Sequence, residues 1–402
     1  MNKLSVCLIV KNEERVLARC LSCAARIADE LVVVDTGSTD RSVEIAKKFT
    51  PHVYLHPWQN SFAEARNFSY AQATGDYIMW LDADDVIDDE SIARLNALKA
   101  EETEADVILA IYRNDSEDGL YSYIIRDRIV KRSVFPGWKH DIHEAIPLQP
   151  DWKRSYRTDI EIIHKKEYVN EPNRNLDIFS RLLESGKPLQ TFEKASLVKE
   201  YSLHGRMDEA MKLFKELRPE DYGYEYARVY LANGFMREKR WRECLSVIED
   251  AERYIAFTPQ MLFVKGRCME SLGDDQRAEA LYQQATNAEE DPYSQSIRYT
   301  GYKDYYPYLR LAAIAQRNGD KQRALNLLRR AGNAYPKAKE WQRMRQIIWM
   351  DIQEQHNHEK DMAATKKSNE ELKRLREEMN RLKEKLGALS EEELEKVVGG
   401  NG

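Results

Sequence analysis

The sequence predicts an α/β domain followed by an all-α repeat domain, and three observations carry that reading. Short apolar runs rich in branched residues alternate with amphipathic stretches as far as Ala100. An acidic tetrad, Asp82-Ala83-Asp84-Asp85, closes one of those runs. The second half of the chain is helical in texture and repeats with a period of 34 residues. A chain of 402 residues exceeds one ordinary hydrophobic core, so more than one domain is expected.

In chain order, Leu4–Val10 reads as a buried strand and Glu13–Ala28 as an amphipathic helix. Leu31–Asp35 is a second strand, after which Thr36-Gly37-Ser38-Thr39-Asp40 turns into a helix over Ser42–Phe49. His52–Leu55 is a short third strand, Ala63–Thr74 a helix, and Tyr77–Leu81 a strand that runs into the tetrad. Strands alternating with helices imply a mainly parallel sheet covered on both faces. Ligands of such sheets bind beyond the carboxyl ends of the strands, where Asn12, Asp35 and Asp82 fall. Val107–Tyr112, Tyr121–Val130 and Asp159–His164 are further strand candidates. The expected division is an α/β domain over 1–165, a linker helix over 166–190, helical repeats over 191–350 and a charged tail over 351–402.

Gly205, Lys239, Gly273 and Gly319 align as helix-turn positions, with Ala210, Cys244, Ala278 and Ala324 as the small residues of the second helices. Both series are spaced by 34, 34 and 46 residues, placing a 12-residue insertion near Asp291–Lys303. A helix-turn-helix period of 34 resembles the tetratricopeptide repeat, whose stacked units form curved binding surfaces. An unrelated helical bundle is the alternative.

Composition narrows the function. Net charge is -6 with both signs interleaved, which argues against nucleic-acid binding through a basic surface. No apolar run is long enough to span a membrane. Met1–Val6 enters a strand at once, with no signal-peptide core, and five cysteines make no disulfide framework, so a cytoplasmic setting is expected. Cys20 and Cys23 form a lone C-x-x-C inside a helical pattern, which reads as packing rather than redox or zinc chemistry.

Two carboxylates one residue apart at a strand end can hold a hard divalent cation, which in turn can bridge a nucleotide diphosphate and offset charge on a leaving group. D-x-D alone is weak, because acidic triplets also cap helices. Here it stands in order after Val10-Lys11-Asn12-Glu13-Glu14, Val33-Val34-Asp35-Thr36-Gly37-Ser38-Thr39-Asp40 and Ala65-Arg66-Asn67. That set resembles family 2 glycosyltransferases of the GT-A fold, a Rossmann-like nucleotide-sugar domain, over about the first 165 residues. The resemblance implies a UDP-sugar donor, a divalent cation (Mn2+ or Mg2+) and single inverting displacement. Asp35 would accept from the uracil imide N–H, with Val10, Asn12 and Glu13 around base and ribose. Arg66 would bind near the diphosphate or orient the acidic tetrad, Asp82 would approach ribose or the donor sugar with Ala83 beside it in the nucleotide-sugar site, and Asp84 with His164 would ligate the metal. The alternative for Arg66 is a surface salt bridge, and for His164 a structural histidine. Phe135 through Glu144 resembles an H-E segment of one branch of the family, making Glu144 a candidate general base assisted by His143, with Asp85 and Asp141 as competitors.

Beyond Ala364 a leucine stripe (Leu372, Leu375, Met379, Leu382, Leu386, Leu389) forms a heptad seam. Leu389, Leu394, Val397, Gly399 and Gly400 then resemble a double-glycine leader of bacteriocin precursors; a solvated acidic tail is the alternative. With the repeats, this tail resembles glycocin glycosyltransferases and implies a precursor peptide as acceptor, on Cys or Ser/Thr, with leader-guided recognition and a homodimer left open. Transfer to a cell-surface polysaccharide or lipid-linked glycan is the competing reading, and a decayed, non-catalytic scaffold the third.

Overall fold

A computed structural model describes residues 3–101, 104–167, 173–251, 257–290, 297–358 and 373–381. In the first region β1 (Leu4–Val10), α1 (Leu17–Ala24), β2 (Glu30–Asp35), α2 (Ser42–Ala46), β3 (Val53–Leu55), α3 (Phe62–Ala71) and β4 (Tyr77–Leu81) follow one another. β1 pairs in parallel with β2 and β4, and β2 with β3. Side chains along β1 alternate between two cores: Leu4, Val6 and Leu8 pack toward α1, whereas Cys7 joins Val32, Val34 and Trp80 on the α3 side. This two-sided burial is why both strands read as continuous apolar runs.

Next come β5 (Asp85–Ile87), α4 (Asp89–Ala100), β6 (Val107–Asp115), β7 (Tyr121–Lys131) and β8 (Arg154–His164). The sheet order is β3-β2-β1-β4-β7-β6-β8-β5. β7 enters antiparallel to β4, so the first run of parallel strands ends at β4, the strand that carries the tetrad; beyond it the sheet is mixed, with β6 antiparallel to β7 and parallel to β8. This is the GT-A arrangement the sequence implies.

Several expected boundaries shift. α1 begins at Leu17 rather than Glu13; ahead of it the Glu13 and Glu14 N–H groups donate to Ser42 Oγ (2.8 Å) and Asp40 Oδ2 (3.0 Å) near the end of the β2–α2 connection. β8 starts at Arg154 rather than Asp159, since β6 pairs with it from Val107↔Arg154 onward. β5 was not expected at all: it is three residues long and pairs with the end of β8 (Asp85↔His164).

α5 (Arg174–Glu184) leads into the helical region, which pairs α6 (Thr191–Leu203) with α7 (Met207–Phe214), α8 (Tyr224–Arg237) with α9 (Trp241–Ala251), α10 (Pro259–Ser271) with α11 (Asp275–Asn287), and α12 (Tyr306–Arg317) with α13 (Lys321–Ala334), before α14 (Glu340–His358). Gly205, Lys239, Gly273 and Gly319 occupy the four turns in left-handed conformation, with φ of 71°, 58°, 88° and 81°. After each turn the next N–H donates back across it: Arg206 to Tyr201 O, Arg240 to Phe235 O, Asp274 to Met269 O and Asp320 to Ala315 O, each at 2.9 Å. These are Schellman closures, which satisfy the last carbonyls of the first helix. Ala210, Cys244, Ala278 and Ala324 are all fully buried where the helices cross. The repeat is therefore tetratricopeptide-like in geometry.

The described part of the insertion has its own task. β9 (Arg298–Tyr299) adds to β7 in antiparallel register (Ser122↔Tyr299), and Thr300 exchanges backbone and side-chain hydrogen bonds with Tyr121. The repeats are thus stitched to the α/β sheet. Of the leucine stripe, Leu375 and Met379 are described and half-buried, and Gln316 Nε2 donates to Met379 Sδ at 3.0 Å. Leu389, Leu394, Val397, Gly399 and Gly400 lie outside the described residues. No described helix is long and apolar enough to cross a membrane.

Candidate active site

A cleft of about 400 Å3 opens at the carboxyl ends of β1, β2 and β4. Val10, Asn12 and Glu13 line it after β1, Thr36 after β2, Arg66 from α3, Asp82, Ala83 and Asp84 after β4, and His164 at the end of β8. Residues more than 150 positions apart in sequence converge on this rim.

Arg66 is the hub. Ser61 is the N-cap of α3, its side chain accepting from Glu64 N at 3.1 Å, and the buried side of the helix carries Ala63, Arg66, Ser69 and Tyr70. That spacing buries Arg66 instead of leaving it on the surface. Its Nη2 donates to Asp82 Oδ1 (2.8 Å) and its Nε to Glu144 Oε1 (2.6 Å), while its guanidinium lies 4.6 Å from the Trp80 ring. Burial disfavours a charged guanidinium, but Glu144 and Asp82 outweigh it and push the group further up. The neighbouring Asn67 grips Trp138 on both sides of its backbone, accepting from N (2.8 Å) and donating to O (3.1 Å). Arg66-Asn67 thus ties the tetrad to the loop that carries Glu144.

That loop is closed by reciprocal hydrogen bonds between Lys139 and Ala145 (2.9 and 3.1 Å). His140 and His143 within it take φ of 69° and 53°, a region costly for side-chain-bearing residues. His143 does not hold Glu144. Its Nε2 lies 3.0 Å from Glu200 Oε1 on α6, and His140 Nδ1 lies 3.3 Å from Glu193 Oε1 on the same helix. Burial and the Lys199 charge push His143 down, against the pull of Glu200.

Within the tetrad, Asp82 and Asp84 border the cleft, whereas Asp85 is fully buried. Asp85 accepts from Asp82 N (2.9 Å) and faces the equally buried Arg128 at 3.6 Å. It is an internal brace and has no route to an acceptor. Arg128 in turn lies 3.6 Å from the Trp80 ring centre and 3.9 Å from that of Tyr112. The Tyr112 hydroxyl donates to Asp82 (3.2 Å) and Asp85 (3.0 Å) and sits 2.8 Å from His164 Nδ1. His164 Nδ1 is 3.2 Å from Asp84 Oδ1 and 3.3 Å from Asp85 Oδ1. Burial works against a charge on His164, yet its hydrogen bonds to Asp84 and Asp85 raise it to about 10. Burial would raise Asp82 as well, but Arg66 and His164 bring it down to about 2.

Among the described residues, oxygen and nitrogen atoms of Asp82, Asp85 and His164 lie within 4.8 Å of one another, with Asp84 beside them. Carboxylates with one imidazole suit a hard divalent cation of the manganese or magnesium kind. The structure brings Asp84 and His164 to within 3.2 Å of each other; the proximity of Asp85 through the short strand β5 had no sequence signal.

Asp35 lies at the edge of the cleft rather than in its wall. Its Oδ2 accepts from Gly37 N and Ser38 N, both at 3.0 Å, while its buried Oδ1 has no partner among the described residues. The Asn12 side-chain oxygen accepts from Thr39 N (2.8 Å), so the loops after β1 and β2 brace each other. Cys20 is buried with its thiol 3.2 Å from Asp82 O, and both Cys20 and Cys23 are free thiols, in keeping with packing.

The sequence reading missed the far wall. Trp58, Phe62, Tyr112, Lys166 and Arg174 line the cleft, and so do Lys199, Tyr226 and Tyr230 from α6 and α8. The helical residues carry no local motif; only the docking of the repeats brings them there.

Residues 5–169 match the model "Glycosyl transferase family 2". A TPR repeat-containing protein of Synechococcus elongatus is 30% identical over 161 residues, covering 38% of this chain and 40% of that protein. The SPbeta prophage-derived glycosyltransferase SunS of Bacillus subtilis is 31% identical over 187 residues, or 44% of each chain. The matched region thus spans less than half the length of these relatives. Among solved structures, S. aureus TarS 1–349 in complex with UDP-GlcNAc aligns at TM-score 0.34 and 16% identity, covering 71% of this chain and 85% of that one. Glucosyl-3-phosphoglycerate synthase from Mycobacterium tuberculosis, with Mn2+ and UDP-glucose, aligns at TM-score 0.33 and 17% identity, covering 48% and 82%. With the motif order, the sheet and the matched model in agreement, residues 5–169 constitute a glycosyl transferase family 2 domain.

Proposed function

We propose that the protein transfers a hexose from a UDP-sugar to a Cys, Ser or Thr side chain of a peptide, with inversion at the anomeric carbon. The donor half is supported by the Asp82–Asp84–His164 cluster in the cleft wall, with the unpartnered, buried Asp35 Oδ1 at the end of β2, next to the cleft-lining Thr36. An imide N–H of uracil is the donor that this orphaned oxygen lacks. Val10, Asn12 and Glu13 bound the base and ribose side, and Asp82 and Ala83 the donor sugar. Asp84 and His164 would hold a divalent cation, which would offset charge on the departing diphosphate.

Support for the peptide half is of two kinds. The chain is similar to glycosyltransferase SunS, and the repeats close the cleft with Lys199, Tyr226 and Tyr230, a polar and aromatic wall suited to a side-chain acceptor. Leader-guided recognition through residues 389–400 belongs to the same reading. On a cysteine acceptor the thiolate is the stronger nucleophile, so a base near the cleft is required. His143 and Glu144, both in the cleft wall, are the candidates for it.

The test incubates the full chain with MnCl2, UDP-glucose or UDP-GlcNAc, and a cysteine-containing bacteriocin precursor peptide bearing its own double-glycine leader. Mass spectrometry should show one hexose or N-acetylhexosamine added, and EDTA should abolish it. Absence of UDP binding by calorimetry would overturn the donor half. UDP binding without peptide modification, but with transfer to a glycan acceptor, would overturn the peptide half.

A further inference from the structure

The loop of His143 and Glu144 divides its two candidate bases between two domains. Glu144 has one oxygen committed to the buried Arg66 at 2.6 Å, a strong charge-assisted pair. His143 turns the other way, to Glu200 at 3.0 Å. The Glu200 side chain is 2% exposed, and the same oxygen also accepts from Asn175 Nδ2 at 3.1 Å. A carboxylate buried so fully is costly unless hydrogen-bonded and balanced by charge. Lys199 supplies a cation only at 3.9 Å. The imidazole lies in the cleft wall, on a backbone held at φ 53° by the closed loop.

We infer that Glu200, a residue of the first helical repeat, is a positioning residue for the transfer reaction: it holds the Nε2–H of His143 so that Nδ1 presents its lone pair to the acceptor. This rests on the proposed transferase reading and adds to it that the repeat domain completes the catalytic centre. In the step so organised, the acceptor S–H or O–H proton passes to His143 Nδ1 as sulfur or oxygen bonds to the anomeric carbon. The bond from that carbon to the diphosphate oxygen breaks, and its electron pair leaves with UDP. The imidazolium so formed is balanced by the Glu200 carboxylate, which does not itself take the proton.

The charges acting on His143 are Lys199 and Glu200 from α6 and Glu144 from its own loop. Burial would raise Glu200, but its hydrogen bond with His143 and the Lys199 charge bring it down to about 2. Glu200 is therefore ionised, and His143 neutral, at neutral pH. That is the protonation state a base and its anchor require.

The experiment follows the histidine rings of the full chain by nitrogen NMR, assigning His143 with His143→Gln, in wild type and Glu200→Gln. Wild type should show the Nε2-protonated tautomer, a reading that needs no variant to fold. Glu200→Gln keeps an acceptor oxygen but removes the charge, so the His143 midpoint should fall by about half a pH unit or more. Its kcat should drop about tenfold or more with KM for the UDP-sugar little changed, and the acid limb of the pH profile should move to lower pH. An Nδ1-protonated tautomer, or an unmoved midpoint, overturns the inference. So does wild-type kcat in a variant that binds UDP normally. Loss of UDP binding in wild type would instead remove the transferase reading and leave the NMR result standing on its own.

Discussion

Arg66 reaches Glu144 across 2.6 Å with 5% of its side chain exposed, so a helix of the nucleotide-type half is clamped to a loop nearly eighty residues later. The same guanidinium holds Asp82. One side chain therefore ties the acidic tetrad to the loop that carries Glu144.

Replacing it should be severe. Arg66→Met leaves two partly buried carboxylates without the cation they share, and breaking such a buried pair costs about 3–5 kcal/mol. Urea denaturation measures this directly. A loss below about 1 kcal/mol would mean the clamp is solvated, as a surface pair would be.

Asp84→Asn should uncouple metal from nucleotide. Asp84 borders the cleft, 3.2 Å from His164, and its removal takes away a charged oxygen ligand. UDP affinity measured with Mn2+ should weaken about tenfold or more, equivalent to ~1.4 kcal/mol. Affinity in EDTA should hardly change. Equal losses in both conditions would place Asp84 outside the metal shell.

The repeat region should lose stability in mild acid through Glu270. Burial would raise this carboxylate, but Arg310, with two bonds at 2.9 and 2.6 Å, and Arg267 lower it to about 2. A depressed folded-state value means its contribution is fully present above the unfolded value near 4.5 and fades as pH falls from there toward about 2. Chemical denaturation at pH 6 and pH 4 should show this fall in wild type and a shallower one in Glu270→Gln. Parallel curves would contradict it.

Lys239→Gly should stabilise the protein. Lys239 holds φ 58° at a turn where the three equivalent positions are glycine, and its Schellman closure is otherwise the same. Relief of left-handed strain, offset by glycine's greater freedom when unfolded, leaves a gain of about 0.5–1 kcal/mol. A higher melting temperature with unchanged UDP binding checks it.

The repeat was legible because its signals are local. A left-handed turn favours glycine, a helix crossing admits only a small side chain, and both recur at one spacing in Gly205, Gly273, Gly319 and Ala210, Ala278, Ala324. Val10-Lys11-Asn12, Arg66 and Asp82-Ala83-Asp84 were legible for a similar reason, each standing at a strand end or on a helix that lines one cleft. Asp85 shows where this stops. Its neighbours Asp82 and Asp84 face the cleft, and nothing in the triplet spacing says that a three-residue strand will turn Asp85 inward onto Arg128.

By itself the sequence determined the alternation of elements, the family of the first domain and the repeat that follows, because hydrophobic period, turn chemistry and motif order act over a few neighbouring residues. Only the tertiary structure decided which carboxylates see the cleft, that His143 answers to Glu200, and that a strand in the repeat insertion joins the sheet at β7. Those outcomes depend on burial and on partners from about forty to more than 170 residues apart, where contact is set by how distant segments pack.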